Sequence, residues 1–395
     1  MAEVASEQKR APRLAAPSAA ALRDAFLLDP NWTYLNHGAF GACPRPVFET
    51  YQRLQLELER QPVELLERTY PARMDAARER LAGIVGADPE GLVFVPNTTT
   101  GVNTVARAID LRPGDEVLLT DHEHGGCRLA WQAATAARGA TVVTAALPLP
   151  FTDPAGVLAA LEAARTPRTR VVFVSHLAAE TAAVLPVSEV CRWAREHGVL
   201  SVVDGAHAPG QLPLHVTAID PDAYVGNCHK WLCAPKATGF LWVRETLRDD
   251  VPPLVVTWGC VPGASFVQRH SWTGTHDPAA ALAVPAAIAF AERHNWPVIR
   301  ARGHALAARL GAELSERYGE PALYPPGTSW HGQMVSASVP WVGDPKILQR
   351  RLREEHRIEV PVHRWRDRVL VRASFGPYND SNDLARLLDA LGRLI

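Results

Sequence analysis

Lysine is what this chain has least of for its size: Lys9, Lys230, Lys236 and Lys346 stand against 37 arginines among 395 residues. A lysine set in apolar surroundings of such a chain is not there merely to carry charge. An excess charge of either sign is also missing. The formal net charge of −1 leaves no basic footprint for nucleic acid and no overall attraction to acidic membranes. Where arginines cluster, they alternate with acids (Arg73, Asp75, Arg78, Glu79, Arg80), as on a solvated helix face. Long apolar runs are absent too. The best, Ala279 to Phe290, falls short of the ~18–20 residues of a membrane span and is broken by Pro285. Cys43, Cys127, Cys191, Cys228, Cys233 and Cys260 show no close pairing, which argues against a disulfide framework or a zinc site. They read as reduced thiols of a cytoplasmic protein. Residues 1–21 lack a continuous hydrophobic stretch before a cleavage site and are expected to form a loose arm rather than a leader.

What is present has the balance of an ordinary enzyme-sized protein, with 47% hydrophobic and 21% charged residues. The length allows two domains. Helical periodicity marks Val47–Glu59 and Ala72–Val85. From Leu92 onward, seven short β-rich runs (92–95, 117–120, 141–144, 171–174, 200–203, 223–225 and 239–243) alternate with amphipathic segments such as Asn103–Ile109, Ala155–Ala164 and Ser188–His197. Apolar runs with little alternation belong to strands covered on both faces. The expected fold class is therefore α/β: a doubly wound, mostly parallel seven-stranded sheet in a large domain over residues 22–295. After Asp277 the pattern changes to a long helical stretch, Pro278 to Arg317, broken near Trp296-Pro297. Two β-like segments follow, Met334–Val339 and Val369–Ser374, with helices at Pro345–His356 and Ser381–Ile395. This predicts a smaller α+β domain over residues 296–395, packed with the start of the chain.

Several polar motifs end strands, where open α/β sheets bind ligands. Asn97-Thr-Thr-Thr-Gly-Val-Asn follows the first run and opens a helix that could hold a phosphate, or is simply capped by a polar side chain. Asp121-His-Glu-His-Gly-Gly follows the second. Its two histidines have no third ligand at sensible spacing, so no metal site is expected. An imidazole stacked on a planar cofactor is the other use. Asp204 ends the run Ser201-Val-Val, where an aspartate serves a cofactor or caps the next helix. Lys230 follows 26 positions later in Asn227-Cys-His-Lys-Trp, where the flanking Trp231 and Leu232 argue against a surface lysine. Pyridoxal phosphate needs this combination: a lysine for the Schiff base and a carboxylate to keep the pyridine nitrogen protonated.

These motifs, with Glu123-His124 and Trp131, resemble the class V aminotransferase group of fold-type I pyridoxal phosphate enzymes. Leu35-Asn-His-Gly-Ala-Phe-Gly, Asp204-Gly-Ala-His-Ala-Pro-Gly, His229-Lys-Trp-Leu and Gly274-Thr-His-Asp are most similar to its isopenicillin N epimerase-like branch, from about Leu28 to the C-terminus. The resemblance implies that Lys230 carries the internal aldimine and moves the Cα proton, Asp204 pairs with the pyridine nitrogen, and His124 and Ala206 cover the two ring faces. It implies that Thr98, Thr99 and His229 hold the phosphate, while Thr275 reaches that of a neighbouring subunit, which makes the protein a homodimer with shared active sites. Arg372 would grip the carboxylate of a small amino-acid substrate, with Asn36, His37 and His363 beside it.

Departures from the group narrow the reading. Val360 to Arg372 contains no cysteine, so persulfide-forming desulfurase chemistry is not expected. Ala179 stands where desulfurases place an asparagine near the ring hydroxyl, a contact assigned here to His207. The segment from Trp258 to Ser265 is shorter than in the epimerase, so its bulky tripeptide substrate does not carry over. Epimerase or racemase chemistry is the leading expectation, with carbon–sulfur elimination and transamination as alternatives. His37, Tyr70 and His363 are candidates for an acid opposite Lys230. The histidine-rich neighbourhood (His37, His207, His363) points to a polar or anionic substrate tail. A cofactor-free relative acting as an interaction protein is disfavoured by the retained Lys230, Asp204 and His124.

Overall fold

A computed structural model describes residues 17–395. Most of the arm expected over residues 1–21 lies outside them. Its end departs from the expectation: Ala19–Arg23 forms a short helix capped by Ser18, and Leu22 is buried. Arg23 ties this helix to the other end of the chain through Asp383 at 2.6 Å.

The seven β-rich runs form one sheet: β1 (Leu92–Val95), β2 (Glu116–Thr120), β3 (Thr141–Ala145), β4 (Thr169–Ser175), β5 (Leu200–Gly205), β6 (Ala223–Asn227) and β7 (Gly239–Val243). Their order across the sheet is β1-β7-β6-β5-β4-β2-β3. Only β7 runs antiparallel to its neighbours. Successive residues point to opposite faces of a strand, and two separate cores collect them. Val171 and Phe173 enter one core while Val172 and Val174 enter the other. Trp131 and Val102 cover the first face, Leu161 and Val190 the second. Both faces are therefore dry, which is why these runs read as apolar without alternation.

The smaller sheet is antiparallel. β8 (Met334–Val339) pairs with β10 (Arg368–Ser374), which pairs with β9 (Val362–Trp365). The last of these was not anticipated, because His363 and Arg364 interrupt its apolar character between Val362 and Trp365. The long helical stretch breaks at Asn295, which adopts a left-handed conformation between Val284–Arg293 and Trp296–Tyr318. Thr33–Tyr34 pairs in parallel with Ile358–Glu359, so the beginning of the chain is stitched onto the C-terminal part. Among the described residues no helix is long and apolar enough to cross a membrane.

Candidate active site

The carboxyl ends of β1, β2, β4, β5 and β6 bring the sequence motifs together. β5 delivers Asp204, buried to 3% exposure. Its carboxylate accepts hydrogen bonds from the Ala206 amide at 2.9 Å and the Cys127 thiol at 3.3 Å. β6 leads to Lys230, whose backbone is held from several sides. Its carbonyl accepts from the Cys233 amide at 3.0 Å and lies 3.1 Å from His37 Nε2. Gly41 presses on the same backbone: a Cβ there would sit 2.1 Å from the His229 carbonyl oxygen, and its φ of +65° suits glycine.

The Lys230 side chain is partly buried, and Nζ lies 3.0 Å from His207 Nε2. Burial lowers its pKa to about 8; Asp204 opposes that shift and Arg372 adds to it. The other nitrogen of His207 faces the Trp231 indole N–H at 3.4 Å. An indole can only donate, so Nδ1 accepts and the ring proton resides on Nε2, pointing at Lys230. Burial, then Lys230, Arg372 and the neighbouring histidines His124 and His229, hold His207 well below its usual pKa. A neutral imidazole therefore faces an amine whose cationic form is disfavoured.

Arg372 reaches the cluster from β10. It is 9% exposed, donates through Nη1 to the Ala179 carbonyl, and leaves Nε buried without a partner. Among the described residues it makes no ion pair. The nearby carboxylate of Glu180 instead pairs with His363 Nε2 at 3.1 Å. A buried guanidinium without a counter-ion is costly unless a ligand supplies one.

The helix Thr98–Ala108 follows β1, with Asn97 capping the Thr100 amide at 2.9 Å. The Thr98 hydroxyl is buried and unpartnered, while Thr99 is exposed. His229 turns Nδ1 to the Thr238 carbonyl at 2.6 Å, and burial lowers its pKa to about 4. His124 is exposed at the start of the helix Gly125–Ala136 and acts electrostatically on His207.

Three further expected residues have surroundings of their own. His37 is fully buried, and its ring nitrogens lie 3.0 Å from the Tyr378 hydroxyl and 3.1 Å from the Lys230 carbonyl. Burial lowers its pKa to about 3. It therefore braces the lysine turn. Asn36 donates to Glu359 at 3.2 Å, leaving Oδ1 buried and unpaired. Thr275 is not brought to Lys230. It lines a separate groove of about 1070 Å³ with Tyr70, Trp258 and Trp272.

Sequence reasoning gave Glu123 no role beyond its place in a motif. Its carboxyl is buried, accepts from Ser175 at 2.6 Å and Thr120 at 2.5 Å, and has its pKa raised by burial to about 8. Ser175 is the register partner of Asp204, so this neutral acid lies directly behind the strand-end carboxylate. A glutamate directly after a histidine at a strand end carries no pattern that distinguishes it from a solvated one.

The aminotransferase class-V profile matches residues 33–387. This chain belongs to the class-V aminotransferase family. It is 36% identical to an isopenicillin N epimerase from Amycolatopsis lactamdurans, over 94% of this chain and 97% of the relative. A putative L-cysteine desulfhydrase of rice, Oryza sativa subsp. japonica, is 29% identical over 91% of this chain and 83% of its own length. Among solved structures, a lysine-to-alanine variant of C-DES with glycine covalently linked to the PLP cofactor superposes with a TM-score of 0.80. Its identity to this chain is 26%, with 92% of this chain and 96% of that chain covered.

The site's own chemistry fits that cofactor. Asp204 is a buried carboxylate with no ion pair among the described residues, as a protonated ring nitrogen requires. The orphaned Thr98 hydroxyl and the helix N-terminus behind it suit a phosphate. Among the described residues no group of three or more potential ligands could hold a metal ion.

Proposed function

We propose that this pyridoxal phosphate-dependent enzyme moves a proton at the α-carbon of an amino acid or amino-acid conjugate, as an epimerase or racemase. The observation that carries the reading is Lys230 Nζ, partly buried, held 3.0 Å from His207 between the opposing influences of Asp204 and Arg372. When bound, the cofactor supplies an electron-accepting ring that stabilises negative charge at the α-carbon. Thr98, Thr99 and His229 would hold its phosphate, Asp204 would keep its ring nitrogen protonated, and His124 and Ala206 would border the ring. His207, donating from Nε2, would serve the ring hydroxyl that Ala179 cannot reach.

Lys230 Nζ would take the α-proton from one face, which its lowered pKa favours because the neutral amine is the base, while the proton that inverts the centre comes from the other face. Arg372 binds the substrate carboxylate through the guanidinium atoms its own neighbours leave unpaired. The buried Oδ1 of Asn36 is a further polar atom available to substrate. Of the three candidate acids opposite Lys230, His37 is enclosed and Tyr70 donates to the Ser271 carbonyl in the groove that holds Thr275. His363, beside Arg372 and paired with Glu180, is the one we assign to the opposite proton transfer.

A second reading is carbon–sulfur elimination, favoured by the desulfhydrase relative and by the structural similarity to C-DES, a cystine C–S lyase. We further propose a homodimer with shared sites. Trp258 is 87% exposed beside Val256 and Val261, all three on the loop bordering the groove that contains Thr275. The six free thiols fit a reducing compartment such as the cytoplasm.

Incubation of the cofactor-loaded protein with L-amino acids and cysteine conjugates in deuterated water separates the readings. Deuterium at the α-carbon with the side chain intact, together with the D-form, is the expected result. Keto acid and ammonia appearing with a released thiol would replace epimerisation by elimination.

A further inference from the structure

Glu180 lies on the loop between β4 and the helix Val187–Glu196, and four contacts clamp this loop to the smaller domain. Arg372 donates to the Ala179 carbonyl, the Ser336 hydroxyl to the Glu180 carbonyl at 2.7 Å, and the Tyr324 hydroxyl to the Thr181 carbonyl at 3.0 Å. The fourth is His363 Nε2, 3.1 Å from the Glu180 carbonyl as well as 3.1 Å from its carboxylate. The backbone of residues 179–181 is thus fixed over β8, β9 and β10, and the Glu180 side chain has a defined position.

That position lies within electrostatic reach of Arg372. In the antiparallel pair β9–β10, His363 stands opposite Leu370, so it shares a face with Arg372 and is its diagonal neighbour. Glu180, bonded to His363, is the carboxylate whose charge acts on Arg372, and Arg372 in turn acts on Lys230. The Glu180 side chain is still 39% exposed, whereas that of His363 is 16% exposed. The histidine-rich neighbourhood is consequently not a basic wall. His37 is enclosed, His207 is committed to Lys230 and Trp231, and His363 is covered by a carboxylate. The charge that Glu180 adds beside Arg372 is negative.

We infer that Glu180 is a specificity-determining residue that rejects amino acids with a short acidic side chain and admits those with a neutral or cationic one. The inference rests on the proposed function, because it takes the α-carboxylate to lie on Arg372 with the α-carbon toward Lys230. A second carboxylate on the β- or γ-carbon would then stand beside Glu180 in a partly desolvated pocket, where like charges repel strongly. An ammonium or a hydrogen-bond donor at that place would instead gain a partner. This assignment reverses the anionic tail expected from histidine content alone.

The test uses the absorbance of the cofactor-loaded protein, titrated with L-alanine, L-ornithine, L-aspartate and L-glutamate. For the parent protein, the half-saturating concentration is expected to be at least about tenfold higher for the acidic pair than for alanine. In Glu180→Gln, which keeps a hydrogen-bonding partner for His363, that ratio is expected to fall about tenfold. His363→Gln is the control, because it disturbs the loop while leaving the Glu180 charge in place, and the ratio should not fall. An unaltered ratio in Glu180→Gln, or an equal fall in both variants, would overturn the specificity role while leaving the proposed function standing. No spectral response to any amino acid, in a protein that binds the cofactor, would remove the proposed function and this inference with it.

Discussion

Lys230, Glu123 and Arg372 are each held in an ionisation environment that water would not provide. Burial drives the Lys230 pKa down to about 8, so the neutral amine becomes abundant within the ordinary working range. Capture of pyridoxal phosphate by the cofactor-free protein should therefore accelerate about tenfold per pH unit below 8 and level off above it, measured by stopped-flow absorbance. Glu123 moves the other way, raised by burial to about 8. A carboxyl whose folded value is raised contributes stability below the unfolded value near 4.5, and loses that contribution as pH rises through 8. Thermal unfolding should accordingly show Glu123→Gln gaining on the parent between about pH 5 and pH 8, with an opposite or flat trend contradicting a neutral Glu123. Arg372→Ala should weaken substrate binding by roughly 2–5 kcal/mol, if it leaves the substrate carboxylate buried and unpaired. A change confined to turnover, with binding intact, would point to a different role.

At the scale of elements, the lysine turn depends on a neighbouring loop distant in sequence. Gly41 adopts a φ of +65°, and a side chain there would collide with the His229 and Lys230 backbone. Gly41→Ala should cost about 1–3 kcal/mol from backbone conformation alone, and it should displace Lys230. The readout is a shifted cofactor absorbance in whatever folded protein remains, and an unchanged spectrum at full stability would refute the contact. The same scale shows what could be read in advance. The seven runs of the large sheet were legible because burial on both faces strips them of polar residues, as in Val171 to Val174. β9 was hidden because its His363 is only partly covered and its Arg364 is exposed. Lys230 and Asp204 were legible as a pair because scarcity and strand-end placement both single them out. The enclosure of His37 was not legible because it comes from Tyr378 and the lysine turn, contacts across 341 and 193 positions that no local pattern reveals. The assignment of Glu180 likewise needed β9 and β10 to be seen side by side.

For the whole molecule, the groove around Thr275 leaves several large apolar side chains open to water. Trp258, Val256 and Val261 are more than half exposed on one loop, next to Trp272 and Tyr70. Trp258→Asp should shift the protein from dimer toward monomer in light scattering, with a parallel loss of cofactor affinity if Thr275 serves the neighbouring site. A parent protein that is monomeric at all concentrations would exclude shared sites. The central claim is that one lysine, chosen by burial and by its neighbours, receives the cofactor. Borohydride reduction of the protein loaded with pyridoxal phosphate, followed by peptide mass spectrometry, tests it directly. The phosphopyridoxyl group is expected on the peptide containing Lys230, with Lys236 and Lys346 unmodified. Attachment at either of those lysines, or none at Lys230 in protein that has bound the cofactor, would contradict the account.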